Sequence, residues 1–381
     1  MQNVYILGGL RSHIGLYNGI FRHIPAEILG AKVLQQLITQ YEITSEDIDY
    51  IIAGNGVGAG GNITRLVVLE AGIAETVPAF TIDMQCCSGL ESISTAYAKI
   101  ATGQADMIIA GGFESSSTQP QRAYNPNHPD YTPNKFYSVA KFIPHHHRET
   151  IMLEGAEYTA KISQTTKQQL DNWALRSHQL ATRAKQQKIL QDIIVPINHS
   201  IKDEGIREKM NLRLLSRLPK LLPNGEFTTA GTSCLINDGA AFIIVCSQKY
   251  LDQHNLKAQA KIKATCALGV NPMLSPVGAI STIEKILHQT QLTHQQVDAF
   301  EVNEAFAIID VLFERKFSSA INKYNIFGGA LAYGHPYGVS GTMILLHLIK
   351  SLTKLDGKLG CCSIAGAGGL GTALLIERLS N

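Results

Sequence analysis

Apolar residues in this chain form short uninterrupted runs that alternate with stretches of helical periodicity. Runs of this kind are typical of strands buried on both faces, and they lie at residues 4–8, 48–54, 77–82, 107–112, 239–245, 260–269 and 361–364. Apolar positions three to four residues apart predict helices, the clearest at residues 25–37, 90–103, 150–161, 166–188 and 343–348. Strands that alternate with helices predict an α/β fold with parallel sheets covered on both faces.

The second part of the chain repeats the pattern of the first part. Residues 293–301 resemble residues 44–51, since each segment is a polar turn that leads into an apolar strand. A predicted strand at 326–327, a glycine-rich turn with His335 and a helix then match the strand, turn and helix around Cys86. The repetition predicts two similar α/β halves packed together, each sending strand-to-helix turns to a shared site.

Three glycine-rich or polar stretches fall outside this repeat. Gly8 and Gly9 are expected to end the first strand, and residues 58–61 form a glycine-rich loop without the pattern of a nucleotide site. From residue 115 to about residue 148 the chain is polar and only weakly periodic. This polar segment holds three adjacent histidines at 145–147, which cannot converge on one ion, so we interpret them as a solvated loop.

Composition limits the classes of function that the chain can serve. The 381 residues are 45% hydrophobic and 17% charged, which indicates a globular interior, and a net charge of +2 argues against a dedicated nucleic-acid binder. The seven cysteines show neither a disulfide framework nor zinc spacing, so we expect reduced thiols and a cytoplasmic protein. We expect no signal peptide, and no window approaches the roughly 18 apolar residues of a membrane span.

Positive charge is concentrated in one segment of the chain. Residues 202–220 carry the basic side chains Lys202, Arg207, Lys209, Arg213, Arg217 and Lys220. Such a cluster is either a solvated face or a surface that attracts a phosphate-bearing ligand, and the sequence leaves both interpretations open.

Cys86 lies at a predicted turn between a strand and a helix. The first backbone N–H groups of a helix have no intrahelical partner, and their partial positive charge favours a thiolate over a thiol. The small residues Ser88 and Gly89 that follow would allow a substrate or another segment to come close. A buried core cysteine is the competing interpretation and the commoner fate of a free thiol.

Two further turns carry side chains that could act with this cysteine. Asn303 follows an apolar strand, and His335 lies among glycines that permit tight backbone paths. A cysteine paired with a histidine is the minimum for an activated sulfur nucleophile. An asparagine could hold a water or donate a hydrogen bond to a developing oxyanion. A capping asparagine and a structural histidine are the alternatives.

With these turns, the chain resembles the thiolase family across nearly its whole length. The segments that carry the resemblance are residues 85–90, 111–115, 229–231, 237–241, 303–306 and 334–341. Together they are highly specific, whereas any one alone would only be suggestive.

The resemblance implies a fold, a domain division and a class of substrate. The fold would be thiolase-like α/β, with two similar halves in five layers (αβαβα) and an inserted loop domain. The first half would comprise residues 1–115 and 239–250, the coenzyme A-binding loop domain 116–238, and the second half 258–381. The substrates would be acyl-CoA and coenzyme A, without a further cofactor or a metal, and the protein would be a homodimer or homotetramer.

The resemblance also assigns roles to residues. Cys86 would accept the acyl group, His335 would activate it, and Asn303 would fix a water in one oxyanion hole. The backbone N–H groups of Cys86 and Ala367 would form the other oxyanion hole. The acyl and pantetheine channel would be lined by Met152, Cys234 and Phe306. The family usually has serine in place of Cys234, and the basic segment 202–220 falls in its coenzyme A loop.

One position departs from the family at its chemical centre. Thiolases carry a second cysteine, which moves the α-proton and protonates the leaving thiolate, and here its place is taken by Ala365. Cys361 lies four residues back, roughly 13 Å along a strand, and Cys87 points about 100° away from Cys86 on a helix. Neither cysteine is a convincing substitute, although His335 could serve both steps.

We therefore expect a thiolase-type acyltransferase, either an acetyl-CoA C-acetyltransferase or a 3-ketoacyl-CoA thiolase, whose carbon–carbon step is impaired or altered by Ala365. Two alternatives stay open. One is a Claisen condensing enzyme that uses only cysteine, histidine and asparagine. The other is a non-catalytic acyl-CoA-binding partner.

Overall fold

A computed structural model of the protein describes residues 2–146 and 148–379. Its strands are β1 (Val4–Ser12), β2 (Gly15–Leu16), β3 (Tyr50–Gly54), β4 (Ala79–Ile82), β5 (Met107–Ser115), β6 (Ile194–Val195), β7 (Asn237–Ser247), β8 (Ala260–Gly269), β9 (Ala299–Val302), β10 (Leu359–Gly366) and β11 (Leu370–Arg378). Its helices are α1 (Ala26–Gln40), α2 (Ile63–Glu70), α3 (Ser88–Ala101), α4 (Ile151–Ile162), α5 (Lys167–Gln186), α6 (Leu212–Leu215), α7 (Gln248–Gln253), α8 (Val277–Gln289), α9 (Ala307–Lys316), α10 (Ala330–Tyr333) and α11 (Tyr337–Leu355).

The strands form two sheets of corresponding order that meet edge to edge. The hydrogen-bonded order is β4-β3-β5-β7-β1 in the first half and β8-β11-β10-β9 in the second, joined where β1 pairs with β8. Counted outward from that junction, β1, β7, β5 and β3 correspond to β8, β11, β10 and β9. The predicted repeat of two similar α/β halves is therefore present in the topology.

Helices cover both faces of each sheet and create five layers. α1 and α2 pack on the outer face of the first sheet, and α8 and α9 lie on the outer side of the second half. α3 and α11 pack against each other between the two sheets, within one hydrophobic cluster that both halves share. This layering places the N-terminal ends of α3 and α11 at the centre of the molecule.

The prediction of parallel sheets is only partly correct. β3–β4, β3–β5 and β9–β10 are parallel, whereas β5–β7, β1–β7, β8–β11 and β10–β11 are antiparallel. β10 and β11 are joined by only residues 367–369, and so short a connection can join only antiparallel strands. The mixed sheet therefore follows from connection length, which the strand–helix alternation did not reveal.

Two local predictions are wrong. Gly8 and Gly9 lie inside β1 and do not end it. A Cβ atom on Gly8 would lie 1.8 Å from the Tyr41 hydroxyl oxygen, so glycine is needed there for close packing and not for a turn. Residues 326–327 form no strand. The Asn325 side chain instead accepts a hydrogen bond from Val302 N (2.8 Å) and donates one to Val302 O (2.9 Å), which covers the edge of β9.

The inserted segment between β5 and β7 contributes helices and one short strand. It contains α4, α5 and α6, and its β6 pairs with β1 of the first sheet. The domain boundaries at residues 115 and 239 stay a prediction. No helix in the described part of the chain is both long enough and apolar enough to cross a membrane.

Candidate active site

The turn between β4 and α3 holds Cys86 in a fixed position. Gln85 adopts a left-handed backbone conformation (φ 55°), which turns the chain sharply before the helix begins. The Ser88 hydroxyl accepts a hydrogen bond from Met84 N (2.8 Å) and donates one to Gln85 O (2.6 Å). The turn is thus closed by its own side chain, and Cys86 keeps 9% of its surface exposed.

The turn before α11 positions His335, which is 1% exposed. Gly334 precedes it with φ 105°, and a Cβ atom there would lie 2.2 Å from the Asn237 amide oxygen, so only glycine fits. The same amide oxygen accepts a hydrogen bond from His335 N at 2.9 Å. Asn237 at the start of β7 therefore fixes the backbone of the histidine.

The imidazole of His335 is held in one tautomer by Ser340. Ser340 Oγ lies 2.6 Å from His335 Nδ1, and its single hydroxyl proton is donated to Pro336 O at 3.0 Å. With the hydroxyl proton on Pro336 O, Nδ1 carries the proton of the first contact, and Nε2 is the acceptor nitrogen that faces the Asn303 amide at 3.5 Å. His335 is therefore arranged as a base at Nε2.

The two turns lie side by side because the first turns of α3 and α11 are in contact. A Cβ atom on Gly89 would lie 2.5 Å from Gly338 O, and one on Gly54 would lie 2.8 Å from the same atom. Side chains cannot approach a carbonyl oxygen that closely, so these positions admit only glycine. The helix ends that follow Cys86 and His335 are thereby brought into contact.

Tyr337 connects the imidazole with the sulfur atoms of the site. Its ring meets that of His335 edge-on, with centroids 5.1 Å apart. Burial raises the pKa of Tyr337, and negative charge on Cys234, Cys86 or Glu114 would raise this pKa further. Tyr337 therefore lies within electrostatic reach of both cysteines while its ring contacts the histidine.

Asn303 reaches the same place from the end of β9. Its side chain is fully buried, and its Nδ2 lies 3.5 Å from His335 Nε2. Among the described residues no group forms a hydrogen bond with its Oδ1. A buried amide oxygen without a hydrogen-bond partner is suited to hold a water or a substrate group.

The side chains predicted to line the channel share one hydrophobic cluster. Phe306 and Ala365 are buried members of this cluster, and Met152 and Cys234 pack against it as partly buried side chains. The loop that carries Cys234 pairs with the segment after Asn303, since Cys234 N donates to Ala305 O at 2.9 Å. The structure therefore places Cys234 beside Phe306 and in the same cluster as Ala365.

Burial sets the protonation states of the two central groups. It raises the pKa of the Cys86 thiol to about 12, although the backbone N–H groups of Ala367 and Cys86 itself bond to the sulfur and lower this pKa. Burial lowers the pKa of His335 to about 3. Burial therefore favours the neutral form of both groups, and the structure does not bear out the expectation that the helix N-terminus favours a resting thiolate.

The buried carboxyl group of Glu114 accepts hydrogen bonds from two segments next to the site. Its Oε2 accepts hydrogen bonds from Gly56 N and Gly338 N (both 2.9 Å), and its Oε1 accepts bonds from Asn55 Nδ2 (3.0 Å) and Val57 N (3.1 Å). Burial raises its pKa to about 7, while the backbone N–H donors lower it. This carboxyl group joins the loop after β3 to the first turn of α11.

Several sequence-level candidates lie elsewhere or lacked a recognisable signal. The basic side chains of 202–220 are all exposed, and Leu215 within this segment belongs to the cluster that contains Phe306. His147 lies outside the described residues.

The positioning role of Asn237 was missed, because it depends on a contact between residues 98 positions apart. Ser340 could have been noticed, since it follows His335 within the first turn of a helix.

Comparisons with known proteins agree along the whole chain. Family models described as "Thiolase, N-terminal domain" and "Thiolase, C-terminal domain" match residues 4–249 and 256–378. A protein of Staphylococcus aureus (strain COL) named "Probable acetyl-CoA acyltransferase" is 31% identical over 395 aligned positions, covering 99% of this chain and 100% of that protein.

Two solved structures share the fold over their full length. The acetyl-CoA acetyltransferase of Bacillus anthracis superposes with a TM-score of 0.93 and 29% identity, covering 100% of this chain and 99% of that one. Human mitochondrial 3-ketoacyl-CoA thiolase in complex with CoA superposes with a TM-score of 0.91 and 28% identity, covering 100% and 98%.

Proposed function

The chain belongs to the thiolase family, and we propose that it transfers acyl groups from coenzyme A thioesters through an acyl intermediate on Cys86. The observation that carries this proposal is the arrangement of the two turns. Gly89 of α3 closely approaches Gly338 of α11, so the turns that hold Cys86 and His335 come from different halves and lie next to each other, which supports a shared site for the two side chains. A nucleophile beside a base of fixed tautomer is the arrangement that acyl transfer requires.

The first half-reaction uses groups that the site already orients. The Cys86 sulfur attacks the thioester or keto carbonyl, and His335 Nε2 accepts the thiol proton as the carbon–sulfur bond forms. Because both groups are neutral at rest, no charge has to be buried before the substrate arrives. The imidazolium forms as negative charge develops in the site, so its stabilising effect is greater in the transition state than in the ground state.

Two sets of donors support the oxyanions in this proposal. The backbone N–H groups of Ala367 and Cys86 point at the sulfur and would hold the oxygen of the acyl group on it. Asn303 would fix a water that donates to the oxygen of the second thioester. Donors held in place before the reaction contribute most of such stabilisation, typically 10²–10³-fold for one donor.

The proposed substrates are acetyl-CoA and 3-ketoacyl-CoA, with free coenzyme A as the acceptor. The names of the similar proteins, an acetyl-CoA acyltransferase, an acetyl-CoA acetyltransferase and a 3-ketoacyl-CoA thiolase, support this substrate class. Met152, Cys234 and Phe306 would contact the acyl chain and pantetheine arm. The exposed basic segment 202–220 would attract the phosphates of coenzyme A.

The second half-reaction is expected to be impaired or altered. Making or breaking the carbon–carbon bond requires a proton to be moved at the α-carbon of the acetyl unit. Ala365, in the family's position for the acid/base cysteine, has no group that can do so. The proposed enzyme therefore acylates Cys86 efficiently and performs thiolysis or condensation more slowly, by another proton-transfer group.

The direct test is mass spectrometry of the protein after incubation with acetyl-CoA. We expect a mass increase of one acetyl group per chain, located on the peptide that contains Cys86. Cys86→Ser should prevent the labelling, whereas Cys87→Ser, in which the neighbouring buried thiol is changed, should retain it. Absence of any acetyl adduct on the unaltered protein would contradict the enzymatic proposal.

The absence of a thiol at residue 365 also favours a second candidate, a Claisen condensing enzyme that relies on Cys86, His335 and Asn303 alone. The variant Ala365→Cys separates the two functions. A rise in acetoacetyl-CoA thiolysis of roughly 10²–10⁴-fold would indicate a thiolase with an altered acid/base position. Condensation at full rate without the substitution would indicate the second candidate. Thermal stabilisation by coenzyme A without acylation would indicate a non-catalytic binder.

A further inference from the structure

A group other than residue 365 must move the α-proton if this protein forms or breaks a carbon–carbon bond. The candidates are His335, Glu114 and the other cysteine thiols near Cys86. They can be compared by three properties: whether their proton-transfer atom is free, whether it reaches the channel, and whether its acidity suits a thioester α-carbon. This comparison rests on the acyltransferase function proposed above.

His335 and Glu114 are already committed to other partners. Nδ1 of His335 is bound to Ser340, so the ring has a single basic nitrogen, which holds the Cys86 proton during acylation. Both oxygens of Glu114 accept hydrogen bonds from the Asn55 side chain and from three backbone N–H groups. Neither side chain has a free site for a second proton transfer.

Three other nearby thiols are inaccessible. Cys87, Cys361 and Cys362 are all 0% exposed. The Cys87 sulfur is turned toward β10, where it contacts Ile364 O at 3.5 Å, and a Cβ atom on Gly366 would lie 2.9 Å from it. These thiols are part of the packed interior and cannot meet a substrate.

Cys234 differs from these thiols in exposure and in position. It is only partly buried, and it packs on the cluster that contains Ala365 and Phe306. Its backbone is held by the bond from its N–H to Ala305 O, and the flanking residues Ser233 and Ile236 form bridges with Phe306 and His335. The loop thus connects the asparagine turn and the histidine turn directly.

The sulfur of Cys234 also lies within electrostatic reach of Cys86. Burial raises the pKa of Cys234, and a negative charge on Cys86 raises it further. Tyr337 responds to charge on both sulfurs. At neutral pH the Cys234 side chain is therefore a thiol that can donate a proton next to the acylated cysteine.

We propose that Cys234 is the acid/base of the carbon–carbon step in this protein. In thiolysis, Cys86 bonds to the keto carbon of the substrate, the carbon–carbon bond breaks, and its electrons form the enolate of acetyl-CoA. The Cys234 S–H bond then breaks and its proton goes to the enolate carbon. The resulting Cys234 thiolate takes the proton of the incoming coenzyme A, whose sulfur attacks the acyl group on Cys86. The carbon–sulfur bond to Cys86 then breaks, and the released sulfur recovers from His335 the proton that it gave up in the first step. All three residues thus return to their starting states.

The proposal accounts for two departures from the family at once. The resemblance places a serine where this chain has Cys234, and a cysteine where it has Ala365. A hydroxyl is far less acidic than a thiol, so a serine at this position could bind substrate but could not replace the missing acid/base. On this proposal the chain keeps a second thiol in the site, at residue 234 instead of residue 365.

The test is exchange of the acetyl-CoA methyl protons in D₂O, measured by mass spectrometry. We expect the unaltered protein to incorporate deuterium, and Cys234→Ser and Cys234→Ala each to lower the exchange rate by roughly 10²–10⁴-fold. Cys266→Ala, which removes a buried thiol of β8, is the control and should leave exchange unaffected. Acetylation of Cys86 by acetyl-CoA is followed in the same samples, so failure of the acyltransferase proposal is detected separately.

A rescue experiment distinguishes an acid/base from a residue that only shapes the channel. Adding Ala365→Cys to the Cys234→Ala variant should restore exchange at least tenfold, because it returns a thiol to the position that the resemblance assigns to the acid/base. Exchange that is equally fast in the Cys234 variants and the unaltered protein would overturn the proposal and assign the step to His335. Absence of exchange in the unaltered protein, with Cys86 fully acetylated, would also overturn it.

Discussion

At the scale of single residues, the site depends on hydrogen bonds that determine which nitrogen of His335 carries the proton. Ser340 Oγ can complete its contact with His335 Nδ1 only if the imidazole donates, because the serine proton is already given to Pro336 O. The lone pair on Nε2 is thus a consequence of one hydroxyl on the first turn of α11. Ser340 is a positioning residue rather than a catalytic one.

Replacing Ser340 with alanine tests this role. The variant leaves Nδ1–H without an acceptor and frees the ring to adopt the other tautomer, in which Nε2 cannot accept the Cys86 proton. The cost of an unpaired buried donor, about 1–3 kcal/mol, corresponds to a loss of roughly 5–150-fold. Rapid-quench measurement of acetyl-Cys86 formation should show this fall in rate, with an unchanged dissociation constant for coenzyme A.

The control for this variant is Ser351→Ala on the same helix. Ser351 is also buried and hydrogen-bonded, since its hydroxyl donates to Glu301 Oε1 at 2.6 Å, but it does not contact His335. It should lose stability and keep its acylation rate. An equal fall in rate for both serine variants would mean that general destabilisation of α11, and not the tautomer, is responsible.

At the scale of elements, the sequence predicted best where local pattern and packing agree. Apolar runs located β3, β5 and β7, because strands buried on both faces need a continuous hydrophobic sequence. The pattern wrongly predicted a strand at residues 326–327. The hydrogen bonds at the edge of β9 are made there by the side chain of Asn325. The pattern also failed at Gly8, where the Tyr41 ring decides the role of the glycine.

The same distinction applies to the candidate site. The turns at Cys86, Asn303 and His335 could be located from sequence, because small residues and glycines mark them locally. The role of Asn237 could not, since it depends on contact with a residue 98 positions along the chain. The protonation states were also beyond the sequence, because burial, which raises the pKa of Cys86 and lowers that of His335, is a tertiary property.

The packing of β9 against α11 buries Glu301, and this predicts how the free energy of unfolding depends on pH. Burial raises the pKa of Glu301 in β9 to about 8. Below the ordinary glutamate pKa, both the folded and the unfolded states hold the proton. Between that pH and about 8 only the folded state holds it, so the free energy of unfolding falls as pH rises. This contribution to stability is lost as the pH passes through the raised pKa.

The variant Glu301→Gln should remove most of this pH dependence. Its amide oxygen can still accept the bond from Ser351, while the group no longer titrates. Urea unfolding at pH 5.5 and pH 8 should show that the variant loses roughly 1–3 kcal/mol less stability over this interval than the unaltered protein. The exposed Glu70→Gln serves as the control. If both variants follow the unaltered protein, Glu301 does not retain its proton in the folded state.

At the scale of the whole molecule, the active site is a product of the two-fold repeat. Each half on its own carries a strand-to-helix turn with one reactive side chain: Cys86 in the first half and His335 in the second. The two halves join through β1 and β8 and pack through α3 and α11, which sets the two turns against each other. The inserted segment contributes Met152 and Cys234, which pack against the cluster that contains Phe306 and would line the proposed channel.

The central claim is that a cysteine from one half and a histidine from the other act as one nucleophile–base pair. The most direct measurement is the rapid-quench rate of acetyl-Cys86 formation in His335→Ala, compared with His288→Ala, an exposed histidine of the same half. We predict a loss of roughly 10²–10⁴-fold for His335→Ala and none for His288→Ala. Acetylation of Cys86 in His335→Ala at the rate of the unaltered protein would contradict the account.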